Sequence, residues 1–141
     1  MVAKTGSGID LAEIGIFSEL SKKELKSVAR LMTELELKEG ATLTKQGEPG
    51  REFMIISSGT AKVEIDGATV AHLATGDFLG ELAVISGTPR TATVTATSPM
   101  TVEILNRREF MSLLDESASL GRKILVGAVK RLQVNERSKT N

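Results

Sequence analysis

Glu81 and Arg90, charges of opposite sign, stand within one stretch, Gly76-Asp-Phe-Leu-Gly-Glu-Leu-Ala-Val-Ile-Ser-Gly-Thr-Pro-Arg-Thr-Ala-Thr-Val94. Gly80 and Glu81 open a short apolar run, Leu82 to Ile85, long enough for one or two helical turns. Ser86-Gly87-Thr88-Pro89 breaks that run and hands over to Arg90, Thr91 and Ala92. From Thr91 to Thr97 the chain alternates Thr with Ala or Val, the period of a half-buried strand. An arginine at a turn-to-strand junction, just after a helix start, suits a small anion. Exposed N–H groups at a helix N-terminus attract negative charge, and glycine lets the backbone approach a ligand closely. Arg90 adds a charge-assisted, bidentate contact to phosphate or carboxylate oxygens. Glu81 would repel an anion, and makes sense if the ligand also donates a hydroxyl, such as a ribose 2′-OH. Each residue has a plainer reading as well: Arg90 as an exposed loop arginine, Glu81 as a solvated or capping carboxylate. The chemistry of the stretch is that of a phosphate-plus-sugar site.

The elements that must position these residues come from an ordinary globular chain. Its 141 residues are enough for one domain, and 40% hydrophobic with 26% charged residues is a typical composition. Lysine plus arginine balances aspartate plus glutamate at 18 each, so no basic footprint points to direct nucleic-acid contact. Cysteine is absent, which removes disulfides, thiol catalysis and cysteine-ligated metals and fits a cytoplasmic protein. The single histidine, His72, excludes a multi-histidine metal site, and no metal or cofactor is expected. No apolar run reaches membrane-spanning length, and no membrane partner is expected. There is no Trp or Tyr.

Residues 1–10 are small and polar and read as a flexible tail. Ser21-Lys-Lys-Glu24 is a capping-box pattern, followed by Leu25, Val28, Ala29 and Met32 on one helical face. Short strand patterns follow: Leu35 to Lys38, Thr42 to Gln46, Phe53 to Ser57, Thr60 to Ile65, Thr69 to Leu73, Thr91 to Thr97 and Thr101 to Leu105. Gly47-Glu-Pro-Gly50 is a turn cluster, and Asp66-Gly67 is a two-residue hairpin signal. About eight short strands at this spacing predict a barrel or jelly roll rather than a parallel sheet. Asn106-Arg-Arg-Glu109 is a second capping-box pattern, with Phe110, Leu113 and Leu114 as its buried stripe. A final helix is predicted from Ser117 to Val134, with a polar end after it.

Phe78-Leu-Gly-Glu-Leu-Ala followed by Pro89-Arg-Thr-Ala-Thr-Val resembles the phosphate-binding cassette of the cyclic nucleotide-binding domain family. That family includes bacterial catabolite activator proteins, protein kinase A regulatory subunits and cyclic-nucleotide-gated channels. The resemblance extends from about Ile16 to Arg137 and takes in the Lys45–Gly50 turn and Ile56-Ser-Ser-Gly59. It implies an α+β fold: an eight-stranded antiparallel β-roll, or jelly roll, with an N-terminal helix and C-terminal hinge and lid helices. One domain would span residues 11–137, with the β-roll at about 35–105, the C-terminal helices at about 106–135, and a polar tail at 138–141.

Carried over by resemblance, Arg90 pairs with the cyclic phosphate, helped by Thr91 and Ala92, and Glu81 accepts the ribose 2′-OH, with Gly80 and Leu82 beside it. A site that hydrogen-bonds a hydroxyl rejects analogues lacking it. The base would lie against Val63, Val70, Ala71 and Leu73, which read otherwise as the core face of a hairpin. Lys130-Arg-Leu-Gln-Val-Asn135 resembles the adenine-facing helix of the activator proteins, making Arg131 and Asn135 lid candidates and favouring cAMP over cGMP. The kinase subunits cap the base with an aromatic, whereas here no Trp or Tyr exists and no Phe follows Phe110. His72 reads as a rim or partly buried histidine with its own hydrogen bond, and Lys22-Lys23, Arg107-Arg108 and Lys130-Arg131 as solvated helix faces.

The function implied is a regulatory sensor without catalytic residues, acting on an unidentified effector protein. An enzyme such as a phosphodiesterase lacks its metal constellation and nucleophile-base pair here. A ligand-free scaffold would be expected to have changed Glu81 or Arg90. A transcription regulator would need a recognition helix, which this stretch does not encode, so the effector is expected in a partner or a longer chain. The wide apolar face of the final helix makes a homodimer plausible.

Overall fold

The computed structural model describes residue 6, residues 8–80, 84, 86–116 and 118–140, with side chains as far as Lys130. Two 3-10 turns, Leu11–Glu13 and Gly15–Phe17, lead into helix α1, Lys22–Leu31. Asp10 caps the first turn by accepting from the Ala12 amide, and Ile9 already packs against the core. Helix α1 starts where its local chemistry dictates. The Ser21 hydroxyl accepts from the Glu24 amide while the Glu24 carboxylate accepts from the Ser21 amide, so two orphan donors are satisfied at once.

Eight strands follow: β1 Thr33–Leu37, β2 Thr42–Thr44, β3 Glu52–Ser58, β4 Ala61–Ile65, β5 Ala68–Leu73, β6 Phe78–Leu79, β7 Thr93–Ala96 and β8 Met100–Asn106. They form two four-stranded antiparallel sheets, ordered β1-β8-β3-β6 and β2-β7-β4-β5. This is the α+β roll that the strand pattern and the resemblance predict. Asp66 and Gly67 both have positive φ, 51° and 83°, as a two-residue hairpin turn requires.

Alternation along β3 and β8 separates two cores. Met54, Ile56, Val102 and Ile104 point into the space between the sheets. Phe53, Ile55 and Leu105 point the other way, toward the helices. All four phenylalanines meet in that helix-side core: Phe53 lies 5.6 Å from Phe17, 5.6 Å from Phe78 and 5.8 Å from Phe110, centroid to centroid.

Helix α2, Arg107–Glu116, begins with the predicted cap: Asn106 Oδ1 accepts from the Glu109 amide, and the Glu109 carboxylate accepts from that of Asn106. Helix α3, Ala118–Thr140, runs beyond the predicted end at Val134. No Gly or Pro stops it, and its last residues include good helix formers such as Glu136, Arg137 and Lys139. It lies against the N-terminal turns at Gly127, where a Cβ would stand 2.5 Å from the Ile16 carbonyl oxygen. Only a glycine lets the two backbones approach so closely. Ion pairs flank the crossing, Lys123 with Glu24 at 2.9 Å and Lys130 with Glu19. Both carboxyls are held below their ordinary range, Glu19 by Lys130 and Glu24 first by the Ser21 amide and then by Lys123. Among the described residues no helix is long and apolar enough to cross a membrane.

Candidate functional site

The centre of the site is an arginine folded inward. Arg90 is only 9% exposed, and its Nη2 donates to the backbone carbonyl of Glu52 at 2.6 Å. Its own backbone is clasped by the turn between β2 and β3. The Arg90 amide donates to the Glu48 carbonyl at 2.8 Å, and the Gly47 amide donates to the Arg90 carbonyl at 2.9 Å. Pro49 and Pro89 extend this clasp as an isolated bridge. A guanidinium held at both its backbone and its head needs little further ordering to bind an anion, which is how preorganised recognition gains affinity.

Gly80 makes the inward fold of Arg90 feasible. Its φ of 92° is a conformation that L side chains rarely adopt, and a Cβ there would collide with the Arg90 guanidinium and the Glu52 carbonyl. The Val84 amide donates to the Gly80 carbonyl at 3.0 Å, and Val84 and Ser86 have helical backbone, within the stretch where the sequence predicts a helical turn. Val84 is fully buried in the helix-side core and anchors that turn. Glu81 and Leu82, the predicted ribose contacts, lie outside the described residues.

On the other side of Arg90 the chain enters β7 through Thr91, which is exposed, and Ala92, which is half-buried. The Thr44 hydroxyl donates to the Ala92 carbonyl at 3.1 Å, and the Gln46 amide donates to the Thr93 hydroxyl at 3.0 Å. Gln46 in turn exchanges two hydrogen bonds with Asp66, each 2.9 Å, tying the same turn to the tip of the β4–β5 hairpin. Thr44, Arg90 and Glu103 are the buried polar side chains among the described residues, and the first two line a single cleft of about 430 Å³.

The predicted base-pocket residues fall into three groups. Val63 and Leu73 pack against the core between the sheets, and Ala71 is paired directly with Val63. Val63 is also paired with Val94 in β7, so this hairpin face adjoins the strand that begins just after Arg90. Val70 is the extra residue of a bulge between the pairs Val63–Ala71 and Glu64–Thr69, and it is 56% exposed. Arg131 and Asn135 are in α3, past the last described side chain. His72 is paired with Lys62 and exposed, which places it at the rim rather than partly buried. Sequence reasoning missed the carbonyls of Glu48 and Glu52. Every residue type carries a carbonyl, so only the proline-bearing turn hinted at them.

Comparison with known proteins agrees with the fold. Residues 34–117 match the model of the cyclic nucleotide-binding domain. The chain is 35% identical over 106 residues to the cAMP-dependent protein kinase regulatory subunit of Colletotrichum orbiculare, covering 74% of this chain and 27% of the relative. It thus spans about a quarter of that relative's length. Among solved structures, a cyclic nucleotide-binding domain from Methylobacillus flagellatus superposes with a TM-score of 0.80 at 25% identity, covering 91% of this chain and 79% of that one. A cAMP-bound PfPKA-R fragment superposes with a TM-score of 0.69 at 27% identity, covering 89% of this chain and 45% of that one. By the family match over residues 34–117 and the kinase-subunit relative, this chain belongs to the cyclic nucleotide-binding domain family.

Proposed function

We propose that this domain senses a cyclic nucleotide, cAMP in preference to cGMP, and passes the binding event to an effector through α3. The observation that carries the reading is the pre-set guanidinium of Arg90, buried beside Gly80 and aimed by the Glu52 carbonyl. In this reading Arg90, with Thr91 and Ala92, takes the cyclic phosphate. Glu81, with Gly80 and Leu82, takes the ribose, and its 2′-OH binds the Glu81 carboxylate. The base rests on Val63, Ala71 and Leu73 near Val70, and Arg131 and Asn135 close over it. The preference for cAMP is supported by the name of the fungal kinase subunit and the nucleotide in the PfPKA-R structure.

Transmission through α3 is favoured by its surface. Leu125, Val126 and Val129 are 47%, 40% and 52% exposed, an apolar strip that a partner or a second copy would cover. Fold alone does not license a ligand, so a scaffold that binds only protein is the competing reading.

Calorimetric titration with cAMP and cGMP, on the wild type and on Arg90→Ala and Arg90→Lys, tests the assignment. A charge-assisted contact of this kind contributes about 1.5–3 kcal/mol, so Arg90→Ala should weaken binding by roughly ten- to more than a hundredfold. Arg90→Lys keeps the charge but loses the fork and should fall between the two. Absence of binding to the folded wild type at millimolar nucleotide would leave the scaffold reading standing.

A further inference from the structure

A second cleft, of about 500 Å³, lies at the head of α2. It is lined by Pro49 and Arg51 from the turn before β3, by Gly87 at the end of the cassette, and by Asn106, Arg107 and Arg108. All three arginines are exposed. The Arg107 amide donates to the Arg51 carbonyl at 2.7 Å, so the two residues are joined through their backbones. A Cβ on Gly87 would stand 3.5 Å from both terminal nitrogens of Arg107, which places that guanidinium against the cassette.

These charges run against their local setting. Arg107 and Arg108 open α2, the helix end where the macrodipole disfavours cations, and Arg51 adds a third positive charge. The ion pairs Lys62–Glu64, Lys123–Glu24 and Lys130–Glu19 do not involve these three arginines. Of the acids next to these arginines in sequence, Glu109 is engaged with the Asn106 amide in the helix cap, and Glu52, beside Arg51, lines the neighbouring Arg90 cleft. Two cations at the positive end of a helix break a local rule, and such a break is characteristic of a functional position. The compensation these side chains fit is an anion, since guanidinium forks bind carboxylates in paired hydrogen bonds.

We propose that this cleft docks an acidic segment of a partner protein, with carboxylates engaging Arg51, Arg107 and Arg108. A nucleic acid is disfavoured because the chain carries no net charge, and its composition offers no basic excess for a polyphosphate backbone to follow. The site stands whether or not a nucleotide binds at Arg90. It shares Pro49 and Arg51 with the Arg90 cleft, so the two lie side by side.

The test is fluorescence anisotropy with a labelled glutamate-rich peptide and no nucleotide. Three proteins are compared: the wild type, a variant with Arg51→Ala, Arg107→Ala and Arg108→Ala, and a charge-matched control with Lys22→Ala, Lys23→Ala and Lys26→Ala on exposed positions of α1. Losing the arginines should weaken peptide binding about tenfold or more, with the control within about twofold of wild type. Arg108→Ser alone, which leaves the backbone bond between Arg51 and Arg107 intact, should weaken it a few-fold and covers the case of a misfolded triple variant. No peptide binding by the wild type, or an equal loss in the lysine control, overturns the proposal. Displacement of the peptide by inorganic phosphate at equal concentration would also overturn it, in favour of a small-oxyanion site.

Discussion

Gly127 on α3 crosses the backbone of Ile16 so closely that a single added carbon would stand 2.5 Å from the Ile16 carbonyl oxygen. The crossing is a notch that sets where the final helix sits on the N-terminal turns, with Ile16 and Phe17 fully buried beneath it.

Filling that notch should loosen the helix. Gly127→Ala raises helix propensity but introduces the clash, and Gly127→Val adds more volume at the same point. Overpacking of this kind costs about 1–3 kcal/mol. Thermal unfolding should show a lower midpoint for both variants, larger for Val. Hydrogen exchange should be faster along α3 while β3 and β8 stay protected.

The ion pair between Lys123 and Glu24 gives the same contact a pH dependence. The folded Glu24 carboxyl sits below its ordinary value of 4.5, held by the Ser21 amide and Lys123. Below 4.5 the unfolded chain takes up this proton first, so stability falls as pH drops toward the folded value; above 4.5 the contribution is complete. Glu24→Gln keeps a capping box but removes the charge. It should cost no more than about 1 kcal/mol at neutral pH, because both partners are partly solvated. Its stability profile should be flatter than wild type on the acid side, and an unchanged acid slope would remove Glu24 from this role.

Gly80→Ala should disable the arginine without touching it. The added methyl and the positive φ together cost about 1–3 kcal/mol and push the guanidinium off the Glu52 carbonyl. Cyclic nucleotide affinity should drop by about tenfold or more in a variant that still folds, read by calorimetry beside a circular dichroism spectrum.

Glu81 can be tested through the ligand rather than the fold. The wild type should bind cAMP at least about tenfold more tightly than 2′-deoxy-cAMP, since the deoxy analogue leaves a carboxylate unpaired. Glu81→Ala should bind the two nearly equally. A wild type that does not discriminate assigns Glu81 to a purely structural role.

What could be seen in the sequence was local chemistry. Both helix starts, at Ser21 and Asn106, were legible because a cap is written in residues three apart that form their own hydrogen bonds. The Asp66-Gly67 hairpin was legible for the same reason. Arg90 could be found from its proline-flanked turn, yet its partners could not, because they are carbonyls more than thirty residues earlier, one in the turn before β3 and one at the first residue of β3. The bulge at Val70 was hidden too: β5 reads as a regular strand, and the extra residue appears only when it is paired with β4. Nothing in the helical pattern of α3 distinguished Gly127 from a weak point in a helix; its purpose lies in the backbone that it touches.

The clustering of all four phenylalanines around Phe53 has an optical consequence. With no Trp or Tyr in the chain, its near-ultraviolet signal comes from this one knot of rings. Phe78 joins it from β6, where the cassette opens, and Phe110 from the helix that follows β8, so the knot spans both sides of any hinge between them. A shift of α2 against the roll would alter the only chiral aromatic environment that the protein has. The chain therefore carries an unlabelled gauge of its own conformation, against a background dark enough for a single introduced tryptophan to be read alone.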